Sequence, residues 1–105
     1  MAQITHNGPY SWTSASGSGM APGEEHGWSL AHGEFLESLS FTYIATAHPF
    51  SPVDQHVRLS VTSITSVTRP WGSPPEQIHY IEIQIRNVGT VTVTAYNLSV
   101  TEIQA

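Results

Sequence analysis

In the stretch His79-Tyr80-Ile81-Glu82-Ile83-Gln84-Ile85-Arg86, Ile81, Ile83 and Ile85 follow His79 at every second position, and polar side chains dominate the other phase. Successive side chains of a strand point to opposite faces, so this period places three isoleucines on one side of a sheet. Branched Cβ atoms also suit the pleated backbone. Downstream, Asn87-Val88-Gly89-Thr90 predicts a tight reversal with Gly89 at positive φ. Val91, Val93 and Ala95 then alternate with Thr92 and Thr94, before the apolar phase slips by one residue to Tyr96, Leu98 and Val100. Such a slip turns every side chain to the opposite face. A bulge near Ala95-Tyr96 would absorb it, as would passage of the chain from one sheet to another.

Upstream, Arg69-Pro70-Trp71-Gly72-Ser73-Pro74-Pro75 reads as a long connection. Val57, Leu59 and Val61 alternate with Arg58, Ser60 and Thr62 in a strand extending toward Val67. Leu39, Phe41, Tyr43, Ala45 and Ala47 form another, with Ile44 an apolar intruder on its polar face and His48-Pro49-Phe50-Ser51-Pro52 as its end. Glu25–Leu30 places His26, Trp28 and Leu30 on one face. Ala31–Leu36 is expected as a loop, because Gly33 weakens the helical turn it would otherwise suggest. Pro22-Gly23 marks a turn with proline in second position. Residues 7–23 are rich in Gly, Ser and Pro and predict a flexible N-terminal segment holding one short strand, Tyr10–Ser14. Six or seven short strands without a helix predict an all-β chain. The expected form is one small antiparallel β-sandwich over residues 1–105, immunoglobulin-like or jelly-roll-like.

Composition narrows the function. Charged residues make up 10% of the 105 positions, against about 25% in an average domain. Serine and threonine supply the polar surface instead. There is no lysine and the net charge is −5, which argues against nucleic acid and against an anionic membrane surface. Protonating all six histidines would move the net charge from −5 to +1, so a pH-linked change in association is expected. Without cysteine there is neither a disulfide nor thiolate chemistry. No apolar run reaches the roughly 20 residues that span a bilayer, and the start MAQITHNGPYSW lacks the features of a signal peptide.

Two segments carry a family resemblance. Ile81–Val93 (IEIQIRNVGTVTV) resembles the strand-turn-strand of bacterial immunoglobulin-like modules of the CARDB kind, and Ala21-Pro22-Gly23-Glu24 resembles the Pro-Gly-Glu turn of similar domains. The likeness covers about a quarter of the chain, and the Asn-x-Gly turn lies nearer the C-terminus than in that pattern. It implies a non-catalytic adhesive or spacer role.

No phosphate loop, dinucleotide fingerprint, nucleophile elbow or zincin motif occurs, and no enzyme, cofactor or resident metal is expected. His26, His32 and Glu34 lie near one another in sequence, but their spacing matches no metal signature and reads as polar loop. The aromatic residues are more suggestive. Trp71 lies between Pro70 and Gly72, and Trp12 flanks the Gly/Ser-rich segment. An aromatic in a loop is poorly placed for a core and well placed for recognition. The first expectation is therefore a lectin-like binding module for carbohydrate or another surface ligand. Trp71 and Trp12 would stack, with His32, Glu34, Asp54 and His56 as polar partners. For each tryptophan a packed role competes with this one, most strongly for Trp28, which alternates with His26 and Leu30. The alternative is a structural or assembly protein. Its threonine-rich strands lack lysine, the usual guard of a sheet edge, and so invite a homo-oligomer or particle.

Overall fold

The computed structural model describes residues 3–15, 18–34, 41–70 and 77–104. They form six strands: β1 (Gln3–Thr13), β2 (Glu25–Glu34), β3 (Phe41–Ser51), β4 (Leu59–Pro70), β5 (Gln77–Asn87) and β6 (Ala95–Gln104). Two antiparallel three-stranded sheets face each other, sheet I in the order β1-β6-β3 and sheet II in the order β2-β5-β4. No helix occurs among the described residues. The expectation of a small all-β sandwich holds.

Each sheet places its most apolar strand in the centre, where neighbours cover both edges and the facing sheet covers the inner face. In β5, Ile81, Ile83 and Ile85 point inward and are buried. They are paired with Leu30, Trp28 and His26 on β2, and Ile83 and Ile85 also meet Ile64 and Val61 on β4. In β6, Tyr96, Leu98 and Val100 face them from sheet I, with Trp12 and Tyr10 on one side and Ala47 and Ala45 on the other. Val57, Leu59 and Val61 pack against this cluster, as their alternation with polar residues implies. Each fully buried isoleucine contributes on the order of 2 kcal/mol.

Several boundaries depart from the sequence reading. β1 begins at Gln3, seven residues before the expected start. β2 continues through Ala31 to Glu34, where a loop was expected, and Gly33 sits beside a register shift rather than at a chain break; residues 35–36 lie outside the described residues. β3 runs through Pro49 to Ser51 because it is an edge strand, and a proline whose missing N–H faces away from the ladder costs nothing. Arg69 and Pro70 belong to β4, while 71–75 lie outside the described residues.

Asn87–Thr90 is not a hairpin. β5 already has β2 and β4 on its two edges, so β6 has no place beside it and the chain crosses to sheet I. Gly89 is not among the glycines at positive φ, and Val91 and Val93 form no strand; Val93 makes only a bridge with Met20. The phase slip coincides with this change of sheet. Ala95 and Tyr96 are both buried, and their pairing with β1 is regular. The extra residue near them is Phe50, on β3, where the register shifts between Pro49 and Ser51.

The turn at Pro22-Gly23 forms as expected. Glu24 N–H donates to Ala21 C=O at 2.9 Å, with Pro22 second and Gly23 third at φ 84°. Within the expected flexible segment, Met20 is fully buried and exchanges backbone hydrogen bonds with Val93. Gly19 permits this plug. Its φ is +71°, and a Cβ there would lie 2.5 Å from Thr92 Cγ2 and 2.9 Å from the Val93 carbonyl oxygen.

Long strands in narrow sheets make a slab of 49 × 33 × 19 Å. Its radius of gyration is 16.0 Å, whereas a compact chain of this length has about 13 Å.

Candidate functional site

Three of the four chain crossings between the sheets meet at one end of the slab, where Asn87 ties two of them together and Val88 reaches the third. The Asn87 side chain is buried. Nδ2 donates to the carbonyls of Met20 (2.8 Å) and Val91 (2.9 Å), and Oδ1 accepts from Gly89 N–H (3.0 Å). The Asn-x-Gly signal is thus an Asx turn that faces inward. Its backbone bonds Gly23 and Glu24, and Val88 N–H reaches Arg58 C=O.

Beside this clamp lies an aromatic cluster centred on Tyr96, whose ring is wholly buried. Trp12 stacks on it at 5.2 Å between centroids and meets His26 edge-on at 4.7 Å. Trp28 Nε1–H donates to the Tyr96 hydroxyl at 2.8 Å, and His26 Nδ1 lies 2.9 Å from the same oxygen. Indole can only donate, so the tyrosine oxygen accepts from Trp28; its bond with His26 Nδ1 runs in the direction the histidine tautomer sets. His26 Nε2 then faces Glu24 Oε2, 3.9 Å away.

Burial raises the Tyr96 hydroxyl above the usual tyrosine range, against the opposing Trp28 hydrogen bond; burial also raises Tyr43, with the Glu102 charge adding to it. A tyrosine whose folded pKa exceeds its unfolded value of about 10 stabilises the fold fully below that pH and loses this contribution as pH climbs through the folded pKa. Urea melts from pH 8 to 11.5 should show stability declining above pH 10, and Tyr96→Phe should flatten the decline.

The sequence-derived site residues divide between the two ends. Trp12 is half-buried, with one ring face on Tyr96. Asp54 and His56 are exposed in the connection leaving β3 at this same end. The backbone of His32 and Glu34 lies toward the opposite end of β2, Glu34 pairing with Ile78; their side chains lie outside the described residues, as does Trp71. Of the six, the structure brings Trp12, Asp54 and His56 to one end and the backbone of His32 and Glu34 to the other. Trp28 takes its packed role. No three histidine, aspartate or glutamate side chains among the described residues converge as a metal set.

Toward the far end the interior becomes polar. Asn7, Tyr43 and Glu102 occupy inward positions, and with Tyr10, Leu30, Ile81 and Val100 they line a cleft of about 80 Å³ between the sheets. Phe41 and Tyr43 reach across to His79, each about 6.3 Å away.

The two outer faces differ in kind. On sheet II, Glu25 and Arg86 pair at 4.0 Å, Arg69 lies 5.3 Å over the Tyr80 ring, and Glu82 shares their face. The outer face of sheet I carries Ile4, Ile44 and Ile103 among threonine, serine, asparagine and two histidines, with no acidic residue, lysine or arginine among the described residues. Ile44 is the intruder of the β3 pattern, and its outward position was legible from that pattern. Its union with Ile4 and Ile103 was not.

No family model, curated protein or solved structure matches the chain.

Proposed function

We propose that this chain is a non-catalytic assembly module, whose working parts are its sheet faces and edges and whose partners include further copies of itself. The observation that carries this reading is the architecture of the slab. Among the described residues, two sheets of three strands leave an unpaired side on each of β1, β2, β3 and β4. An open strand edge is a template for another chain, and a narrow two-layer core gains from any further apolar burial. Ile4, Ile44, Phe50, Val53 and Val88 remain exposed on this structure.

Sedimentation velocity from 1 µM to several hundred micromolar tests the proposal. The expected result is a sedimentation coefficient that rises with concentration. A single monomeric species across the whole range would remove the reading.

A further inference from the structure

We propose that the outer face of sheet I docks a second copy of this chain, face to face; this inference rests on the assembly reading above and names its surface. The apolar component is contiguous. Ile4 pairs directly with Ile103, and Ile44, opposite Thr101, is the diagonal neighbour of Ile103. Diagonal side chains on adjacent strands lie within reach of one another, so the three isoleucines form a ridge across all three strands. Ile4 is 59% exposed and Ile44 53%, although each is large enough for a core.

Charge selects the partner. Two copies at −5 each repel, and they approach at least cost through a surface free of carboxylates. Among the described residues Glu24, Glu25, Glu34, Asp54 and Glu82 belong to turns or to strands of sheet II, and Glu102 points inward. Among the described residues, the outer face of sheet I is thus the broad surface on which a second copy meets no like charge. It is self-complementary, since threonine hydroxyls and isoleucine side chains suit each other's kind in a two-fold interface.

Size and edge chemistry agree. Three strands spaced roughly 4.8 Å apart, with about ten residues each at roughly 3.4 Å, offer a face on the order of 500 Å². Two such faces bury on the order of 1,000 Å², the lower bound for a specific contact, so the complex is a weak one. Pairing through the edges of the same sheet is less favoured. Pro9 interrupts β1 beside a register shift, and Pro49 does the same on β3.

The test compares Ile44→Glu with Ser63→Glu, which makes the same charge change on the outer face of sheet II. Both positions are exposed, and circular dichroism with thermal melts shows whether each variant is folded. Ile44→Glu should weaken self-association at least about tenfold in sedimentation equilibrium, while Ser63→Glu should leave it within about twofold. Ile44→Thr, which preserves strand preference, should fall between Ile44→Glu and the wild type and serves if Ile44→Glu does not fold. X-ray scattering of the wild-type complex should show growth across the strands and not along the 49 Å dimension. A wild type that stays monomeric sinks the assembly reading and this inference together. The face alone is wrong if the wild type associates while folded Ile44→Glu or Ile44→Thr matches it, or if Ser63→Glu weakens the complex equally. Lengthening along the 49 Å axis, or a monomer that binds zwitterionic phosphatidylcholine vesicles instead of itself, also overturns it.

Discussion

Asn87→Asp should destabilise the fold by about 3–5 kcal/mol, an unusually large effect for a change that preserves shape. The new carboxylate keeps one contact, from Gly89 N–H to the former Oδ1. At the other position an oxygen replaces an amide that donates to two carbonyls, those of Met20 and Val91. Two hydrogen bonds become two repulsions inside a buried site, and both carbonyls lose their donor. For a domain of this size each 1 kcal/mol lowers Tm by roughly 4–8 °C, so a fall on the order of 20 °C is expected. Burial raises the new aspartate's folded pKa above its unfolded value. The penalty is therefore full above the folded pKa and is relieved as pH falls toward the unfolded one. Asn87→Ala, which removes the bonds without adding charge, should cost less and show no such recovery. Urea melts at pH 7.5 and pH 4.5 separate the two variants; equal stability of Asn87→Asp and wild type at pH 7.5 would mean that the clamp does not hold the crossings.

Tyr96→Phe should cost about 2–3 kcal/mol even though it leaves no cavity. The ring stays, so its stacking with Trp12 is retained. The oxygen that accepts from Trp28 Nε1 and faces His26 Nδ1 is lost. Indole N–H can only donate, and it loses its acceptor in a part-buried site. In a double-mutant cycle with Trp28→Phe the two costs should be strongly sub-additive, because removing both partners removes the orphan. Near-ultraviolet circular dichroism should change in Tyr96→Phe while the far-ultraviolet signal of the sheets does not. Additive costs would show that the Trp28–Tyr96 bond contributes nothing.

One residue of the candidate docking face was legible at the level of a single strand. Ile44 breaks the alternation of its strand, and such a break marks an apolar side chain on the polar face. The two residues that complete the ridge gave no comparable signal, since Ile4 and Ile103 lie near the ends of the chain in stretches without clear periodicity. Trp12 and His26 are distant in sequence, and nothing local indicates that both pack around Tyr96. The buried role of Asn87 was hidden for a different reason: Asn-x-Gly has the same local chemistry in an exposed hairpin and in an inward Asx turn.

By itself the amino-acid order determined which side chains share a face, because alternation along an extended chain is a property of the backbone and needs no partner. This settled the middle of each strand but not its bounds, the inward isoleucines of β5, the turn at Pro22-Gly23 and the all-β class. Only the tertiary structure decided which strands are neighbours. With both edges of β5 taken by β2 and β4, the following residues had to cross to the other sheet. That crossing turned an expected hairpin into a buried clamp, and it placed β6 between β1 and β3 so that three isoleucines from three distant segments meet on one uncharged surface. Strand pairing is set by the competition of all edges for partners, a property of the whole chain that no local pattern contains.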